Sequence, residues 1–379
     1  MFSVLFVGHT YLTALAQKKL TALKEQGCRI CVLVPSNWRD LSALFEGKWL
    51  IPHETESLSL RSAPVIRSGH VASHLYIPGT ILRMIRLSQP DIVQVEQEVY
   101  SFVAAQAALE VKASGRKLVI FGWENLDRHI HLTQRFCRVI ILKLADAIVC
   151  GNRDGALLVR KWGYNGIVEV MPQLGVDPLE FSPMIRQQLR QGGGTFSIGY
   201  VGRMVPEKGG DTLLQAFSAL VNKNLDIHLI MLGSGPEKQN WQKLASDLGI
   251  TEHVSWYDSV PHNEVPSIMA QMDVLVLPSK STSHWKEQFG LVLAQAMAMG
   301  LPVIGSNCGA IPEVIGRQDV IFPEGNKHML SHILERMVLD ENWRKEVSQY
   351  CHEKALSLYT NEVLARRLIK LYSSLTNSR

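Results

Sequence analysis

Arg203 and Lys208 stand close together in GRMVPEKGG (202–210), between a short apolar run and a helical stretch. A guanidinium and an ammonium at a helix start can converge on one anion. The first backbone N–H groups of a helix lack intrahelical partners, and glycines 209 and 210 let the chain come close. A diphosphate suits such a pair. Further on, HWKEQFGLVLAQAMAMGLPVIGS (284–306) reads as an almost wholly apolar helix from about 287 to 299. It opens on Lys286-Glu287 and carries one lone polar residue, Gln295. The helix dipole favours a carboxylate at its start. Residues 287, 291 and 295 would share one face, with Glu287 and Gln295 roughly 12 Å apart along the axis. That is about the reach from the sugar to the ribose of an extended nucleotide sugar. The amides of Phe289, Gly290 and Leu291, expected in the first turn, could hold phosphate oxygens between the two. In GSGP (233–236), Gly233 and Gly235 make a second strand-to-helix turn against which a planar base could lie.

Something must position these residues. Short apolar runs alternate with helical stretches along the chain: FSVLFVG, CRICVLVP, IVQVE, KLVIF, AIVC and IVEVM in the first half, then FSIGYVG, DIHLIMLG, HVSWY, DVLVLP and PVIG. Such alternation predicts α/β architecture with parallel sheets covered on both faces. FSPMIRQQLRQGGGTF holds Pro183 and three consecutive glycines, and 181–195 reads as a linker between Rossmann-like domains at 1–180 and 196–358. In such sheets ligands bind beyond the carboxyl ends of the strands. The residues standing there are Gly8-His9-Thr10, Glu96-Gln97-Glu98, Trp123-Glu124-Asn125, Gly151-Asn152 and Gln173, then Gly202-Arg203, Gly233-Ser234-Gly235 and Ser279 through Glu287. Facing one another, they would line a cleft between the domains. No GxGxxG follows the first strand, where GHTYLT stands, which weighs against an NAD-linked dehydrogenase.

Composition narrows the setting. The 39 Lys and Arg against 35 Asp and Glu leave a net charge of +4, and the excess lies in residues 1–180. That suits an anionic partner there, a lipid surface or a phosphorylated lipid, or else scattered solvated faces. In RHIHLTQRFCRVIILKLAD (128–146), Arg128, Arg135 and Arg138 are expected near one face of an amphipathic helix. It could lie on a lipid surface or dock with a solvated basic face. No uncharged apolar run is long enough to span a membrane. The opening MFSVLFVGHTY reads as a first buried strand rather than a leader. The six cysteines form no disulfide framework. Cys28 and Cys31 read as small core residues of a strand, and a reducing cytoplasm is the expected home.

GYVGRMVPEKGGDTLLQAF, GSGP, VPHNEVPSIMAQMDVLVLPS and KEQFGLVLAQAMAMGLPVIGSNCGAIPEVI together resemble the retaining nucleotide-sugar glycosyltransferases of group 1, also called family 4. The resemblance is specific over about 196–320 and looser elsewhere, through PQLGVDPLEFSP and the final helix. It implies a GT-B fold of two Rossmann-like domains, the donor held mainly by the second and the acceptor contacted mainly by the first. It also implies a last helix, within 359–379, that crosses back to the N-terminal domain. Arg203 and Lys208 would bind the donor diphosphate and Glu287 the sugar hydroxyls, these three carrying the catalysis. Gly8, Gly202, Gly233, Gly235, Val260, Phe289, Gly290, Leu291 and Gln295 would complete the donor site. His9, Glu98, Glu124, Asn125 and Asn152 would face the acceptor, His9 as a base or as a polar loop residue.

Two positions depart from the family pattern. Gln295 stands where relatives carry the second glutamate of Glu-x7-Glu, a ribose ligand. Trp123-Glu124-Asn125 stands where many relatives carry a histidine that contacts the donor sugar. The implied reaction moves a hexose from a UDP- or GDP-sugar to a saccharide or lipid-linked hydroxyl with retention, and needs no metal, cofactor or nucleic acid. An epimerase or phosphorylase on the same fold, or a weakly active nucleotide-sugar binder, are the alternatives.

Overall fold

The computed structural model describes residues 1–39, 49–50, 52–53, 58–189 and 194–376. The chain forms two compact units, one from residues 1–175 with the stretch from Asn361 onward, the other from residues 176–360.

The first unit holds strands β1 (Ser3–Val7), β2 (Arg29–Pro35), β3 (Ser59–Ala63), β4 (Ile92–Glu96), β5 (Lys117–Gly122), β6 (Ala147–Cys150) and β7 (Ile167–Val170), all but β3 formed by the apolar runs. All pair in parallel in the order β7-β6-β5-β4-β1-β2-β3. The central strands β1 and β4 are buried at every residue, and the polar Gln94 and Glu96 of β4 are buried with the rest. Edge strand β3 is mostly exposed, and its SLRSA sequence carries no apolar run that would mark it. The connecting helices are α1 (Ala14–Glu25), α2 (Thr80–Ser88), α3 (Phe102–Ser114), α4 (Leu132–Leu144) and α5 (Arg153–Lys161). Ser101 caps α3 by accepting from the Ala104 amide at 3.2 Å. The C-terminal helix, Asn361–Thr376, belongs to this unit and buries Leu364, Leu368, Leu371, Tyr372 and Leu375. These fall on one helical stripe. Tyr372 donates to Gln94 Oε1 at 2.5 Å and Arg367 pairs with Glu169 at 2.6 Å, fixing the stripe on the sheet.

In the second unit β8 (Phe196–Val201), β9 (Ile227–Leu232), β10 (Val254–Tyr257), β11 (Val274–Leu277), β12 (Val303–Ser306) and β13 (Ile321–Phe322) form a parallel sheet in the order β10-β9-β8-β11-β12-β13. Its longer helices are α6 (Pro183–Leu189), α7 (Gly210–Val221), α8 (Lys238–Asp247), α9 (Leu291–Ala298), α10 (Lys327–Leu339) and α11 (Glu341–Leu358). The span read as a linker is therefore helical over Pro183–Leu189. Arg186 holds that helix in place by donating to the Gly300 and Met272 carbonyls at 3.0 and 3.1 Å. Within that span only residues 190–193 lie outside the described residues.

Each sheet reverses direction once. In the first the chain builds outward from β1, then crosses to β4 on the other side. In the second it builds outward from β8 and then crosses to β11. In open parallel sheets, ligands bind beyond the strand ends at such switch points. All six cysteines are free thiols, and burial raises those of Cys28 and Cys31. Among the described residues no helix is long and apolar enough to cross a membrane.

Candidate active site

The switch point of the second unit gathers the residues first singled out. The loop after β8 carries Gly202, Arg203 and Lys208, and the loop after β11 carries Ser279 through Glu287. A backbone bond from the Lys280 amide to the Glu207 carbonyl, 2.8 Å, ties the two loops together. Tyr200, fully buried, donates its hydroxyl to the Arg203 carbonyl at 2.6 Å and anchors the first loop from below. Burial first, and then the charge of Glu287, keep that phenol protonated by raising its pKa.

Glu287 is buried, and its Oε2 receives Lys208 Nζ at 2.5 Å and Ser279 Oγ at 3.0 Å. Ser279 is itself fixed, its carbonyl accepting from Ser306 Oγ at 2.5 Å. Lys208 also lies over the Trp285 ring, 4.7 Å from its centroid. The Arg203 side chain is half-exposed and has no ion-pair partner among the described residues. The site thus presents one pre-paired cation and one guanidinium available to a ligand. Gly233 has φ 145°, and a Cβ there would lie 1.9 Å from the Gly202 carbonyl oxygen, so only glycine lets the β8 and β9 loops meet. Ser234 joins this turn to the loop after β10 by accepting from the Ser259 amide at 3.0 Å, one residue before half-buried Val260.

The start of α9 corrects the sequence reading. The helix begins at Leu291 rather than at Glu287. Gly290 takes φ 75°, a left-handed conformation that breaks the helix, with Leu277 packed where a side chain would point. The Glu287 carbonyl meanwhile accepts from the Ala310 amide at 2.9 Å, which holds this stretch as a loop. Residues 287, 291 and 295 do not share a helical face, and the ion pair with Lys208, not the helix dipole, compensates the carboxylate. Phe289 and Gly290 precede the first turn, and Phe289 is buried edge-on against Tyr359 at 5.4 Å. The amides that open the helix are those of Leu291 and Val292. Gln295 is buried within α9.

The strand ends of the first unit are largely occupied with one another. Gly8 closes β1 with its amide on the Leu33 carbonyl at 3.2 Å. The Gln97 amide donates to His9 Nδ1 at 2.7 Å, and the His9 ring stacks on Trp38 at 4.6 Å. An imidazole that accepts at Nδ1 carries its proton on Nε2, so His9 sits as a packed polar loop residue. Glu124 receives Tyr100 Oη at 3.0 Å and Arg128 Nε at 2.9 Å. Asn152 caps α5, accepting from the Gly155 amide at 2.8 Å. Buried Asn125 follows Glu124 in the same loop. Beneath them, Lys19 pairs with buried Glu96 at 3.3 Å, and Gln173 bridges Glu96 and Trp123 at 2.8 Å each. The sequence marked Glu96, Gln173 and the span Ser279 through Glu287 as strand-end residues, but gave Ser279 and Trp285 no role of their own and did not mark Lys19. Lys19, in the middle of a helical stretch, carried no local signal.

Half-buried Glu98 and buried His74 of this unit give opposite pH dependence. Glu98 accepts from the Trp123 and Glu124 amides at 2.8 and 3.2 Å, yet burial first and neighbouring Glu124 next push its carboxyl up to about 7. Burial pushes His74 down to about 4. A carboxyl with a raised folded pKa holds its proton more tightly in the fold, so its contribution is lost as pH rises from about 4.5 to about 7. An imidazole with a depressed folded pKa stays neutral where the unfolded chain binds a proton. Its contribution is lost as pH falls from about 6.5 to about 4. The two slopes oppose in the wild type. His74→Asn, which keeps a donor for the His70 and Val71 carbonyls, unmasks the glutamate, and urea titrations then show stability falling by up to about 3 kcal/mol between pH 4.5 and 7. A flat profile in that variant would refute the assignment.

Comparison with known proteins bears on this site. The family model described as "Glycosyl transferases group 1" matches residues 182–354. The chain is 33% identical over 290 residues to the GDP-mannose-dependent alpha-(1-6)-phosphatidylinositol monomannoside mannosyltransferase of Mycolicibacterium smegmatis, covering 72% of this chain and 74% of that one. It is 28% identical over 263 residues to the D-inositol 3-phosphate glycosyltransferase of Corynebacterium urealyticum, covering 64% of this chain and 60% of that one. Among solved structures, Anabaena Alr3699/HepE in complex with UDP superposes with a TM-score of 0.73 at 16% identity, over 99% of this chain and 100% of the other. That likeness is one of fold: two Rossmann-like parallel-sheet units, the GT-B arrangement of elements.

Proposed function

The chain belongs to the glycosyl transferases of group 1, which take a nucleotide sugar as donor, and from that premise we propose that it transfers a hexose with retention to a hydroxyl acceptor on a glycolipid or polysaccharide precursor. The observation that carries this reading is the cluster at the second switch point, where Arg203 and the Lys208–Glu287–Ser279 set meet beyond β8 and β11. An ammonium has three donors. Glu287 engages one, leaving Lys208 able to reach a phosphate oxygen while still holding the carboxylate. Arg203 supplies a fork for the diphosphate. The leaving diphosphate gains negative charge as the anomeric C–O bond breaks, so cations fixed beforehand stabilise the transition state more than the ground state. The acceptor oxygen bonds to the anomeric carbon on the same face, and its proton passes to the departing phosphate oxygen. No protein base on the opposite face is required, in keeping with a packed His9. With the charge met by side chains and helix-start amides, no metal is required either, and activity survives EDTA.

GDP-mannose is the first donor to test, since the Mycolicibacterium relative is named for it, with UDP- and ADP-sugars beside it. Thermal shift identifies the nucleotide. Mass spectrometry and NMR of the product then read transfer and anomeric configuration. Nucleotide released without an acceptor, or an inverted product, would sink the proposal.

Gln295 stands where a glutamate would accept a stronger, charge-assisted hydrogen bond from ribose. We expect Gln295→Glu to tighten nucleotide binding about fivefold, on the order of 1 kcal/mol, in calorimetry. The free variant melts lower, because the new carboxylate is buried without a designed partner. Unchanged affinity would remove Gln295 from the nucleotide site.

A further inference from the structure

The loop after β11 is tied down along its length, and one of its side chains turns back on the cation of the site. Lys280 Nζ lies 2.8 Å from both carboxylate oxygens of Asp211, and the Lys280 amide donates to the Glu207 carbonyl at 2.8 Å. Glu324 grips Ser281 twice, accepting from its amide at 2.5 Å and from its hydroxyl at 2.7 Å. The Thr282 amide donates to the Trp285 carbonyl at 2.8 Å, which folds the tip of the loop on itself. Thr282, Ser283 and His284 at that tip are exposed, whereas Trp285 is half-buried with Lys208 Nζ over its ring, 4.7 Å from the centroid. Trp241 and Trp343 of the same unit are core residues, 2% and 5% exposed. Trp285 is placed differently, on a braced loop and against a charge.

An ammonium carries three N–H donors on one nitrogen. Glu287 Oε2 engages Lys208 at 2.5 Å, and the negative face of the indole attracts the same nitrogen. Carboxylate and ring hold it from two directions, which limits where the remaining donor can point. Without the ring, an ammonium on a flexible four-carbon stem swings about the carboxylate, and a phosphate oxygen has to order it on binding. The ring also stands in for water beside a side chain that is only 14% exposed. We propose that Trp285 is a positioning residue for the donor diphosphate: its indole face sets the Lys208 ammonium where a phosphate oxygen meets it, and it acts through that ammonium rather than by touching the ligand. This rests on Lys208 gripping the diphosphate, as the proposed transfer requires, and adds the aromatic side chain that prepares the grip.

The test is titration calorimetry of the whole chain with GDP, UDP and ADP. Trp285→Leu, which keeps an apolar side chain and removes the ring, weakens the nucleotide that binds by about tenfold. Trp285→Phe, with a weaker ring quadrupole, stays within about threefold of wild type. A double-mutant cycle separates positioning from packing. In the background Lys208→Met with Glu287→Gln, which keeps no ammonium and strands no charge, Trp285→Leu changes affinity by less than about twofold. Should Trp285→Leu fold poorly, Trp285→Phe carries the same cycle. A loss that persists in full in that background means that the ring contacts the ligand itself or only packs, and overturns the proposal; so does wild-type affinity in Trp285→Leu. Wild-type affinity in the Lys208→Met with Glu287→Gln background, or binding of none of the three nucleotides, would remove the diphosphate from this site, and the proposed function would fall together with this inference.

Discussion

Arg203→Ala lowers kcat/KM for transfer by about 10²- to 10³-fold while stability moves by no more than about 0.5 kcal/mol. Both halves of this result come from one circumstance. The guanidinium is half-exposed with no ion-pair partner among the described residues, so its removal leaves no buried charge behind. What is lost is a preorganised donor at the point where the leaving diphosphate gains charge. Arg203→Lys recovers only part of the rate, because an ammonium lacks the planar fork that engages two phosphate oxygens. Steady-state kinetics beside urea titrations read the two effects separately. Turnover within threefold of wild type would mean that the diphosphate is not held here, and the proposed function would fall with it.

Glu287→Ala behaves differently, losing activity and about 3 kcal/mol of stability together. Lys208 and Glu287 are 14% and 8% exposed at their side chains, so deleting the carboxylate strands an ammonium and the fully buried Ser279 hydroxyl. Breaking a buried pair costs more than the pair contributes. The double variant Glu287→Gln with Lys208→Met, which strands no charge, therefore regains most of the stability. It stays inactive, since neither the diphosphate cation nor the carboxylate for the sugar hydroxyls remains. If instead the double variant is as unstable as Glu287→Ala, the ion pair is not what organises the site.

The two sheets were legible in the chain because their central strands are buried on both faces and appear as short, chiefly apolar runs, SVLFV and KLVIF among them. Edge strand β3 was not, because an exposed edge needs no apolar pattern. The cluster at the second switch point was half legible. Arg203, Lys208 and Glu287 were each marked by position at a strand end, but Lys208 and Glu287 are 79 residues apart, and no spacing rule announces that they pair. The start of α9 was misread because FGLVLAQAMAM is apolar but for Gln295. Periodicity cannot show that Gly290 turns left-handed once the Ala310 amide takes the Glu287 carbonyl. In α4 the sequence located the amphipathic helix but misplaced its faces. Arg138 lies over Trp162, and Leu132, Phe136 and Val139 are left exposed.

The amino-acid sequence alone determined the parallel α/β architecture and the residue types waiting at the strand ends, since both follow from local pattern and strand polarity. Tertiary structure decided which of those side chains neutralise one another, where α9 begins and which face of α4 meets solvent. These depend on contacts between residues far apart in the chain, whose energies exist only once the backbone has brought them together.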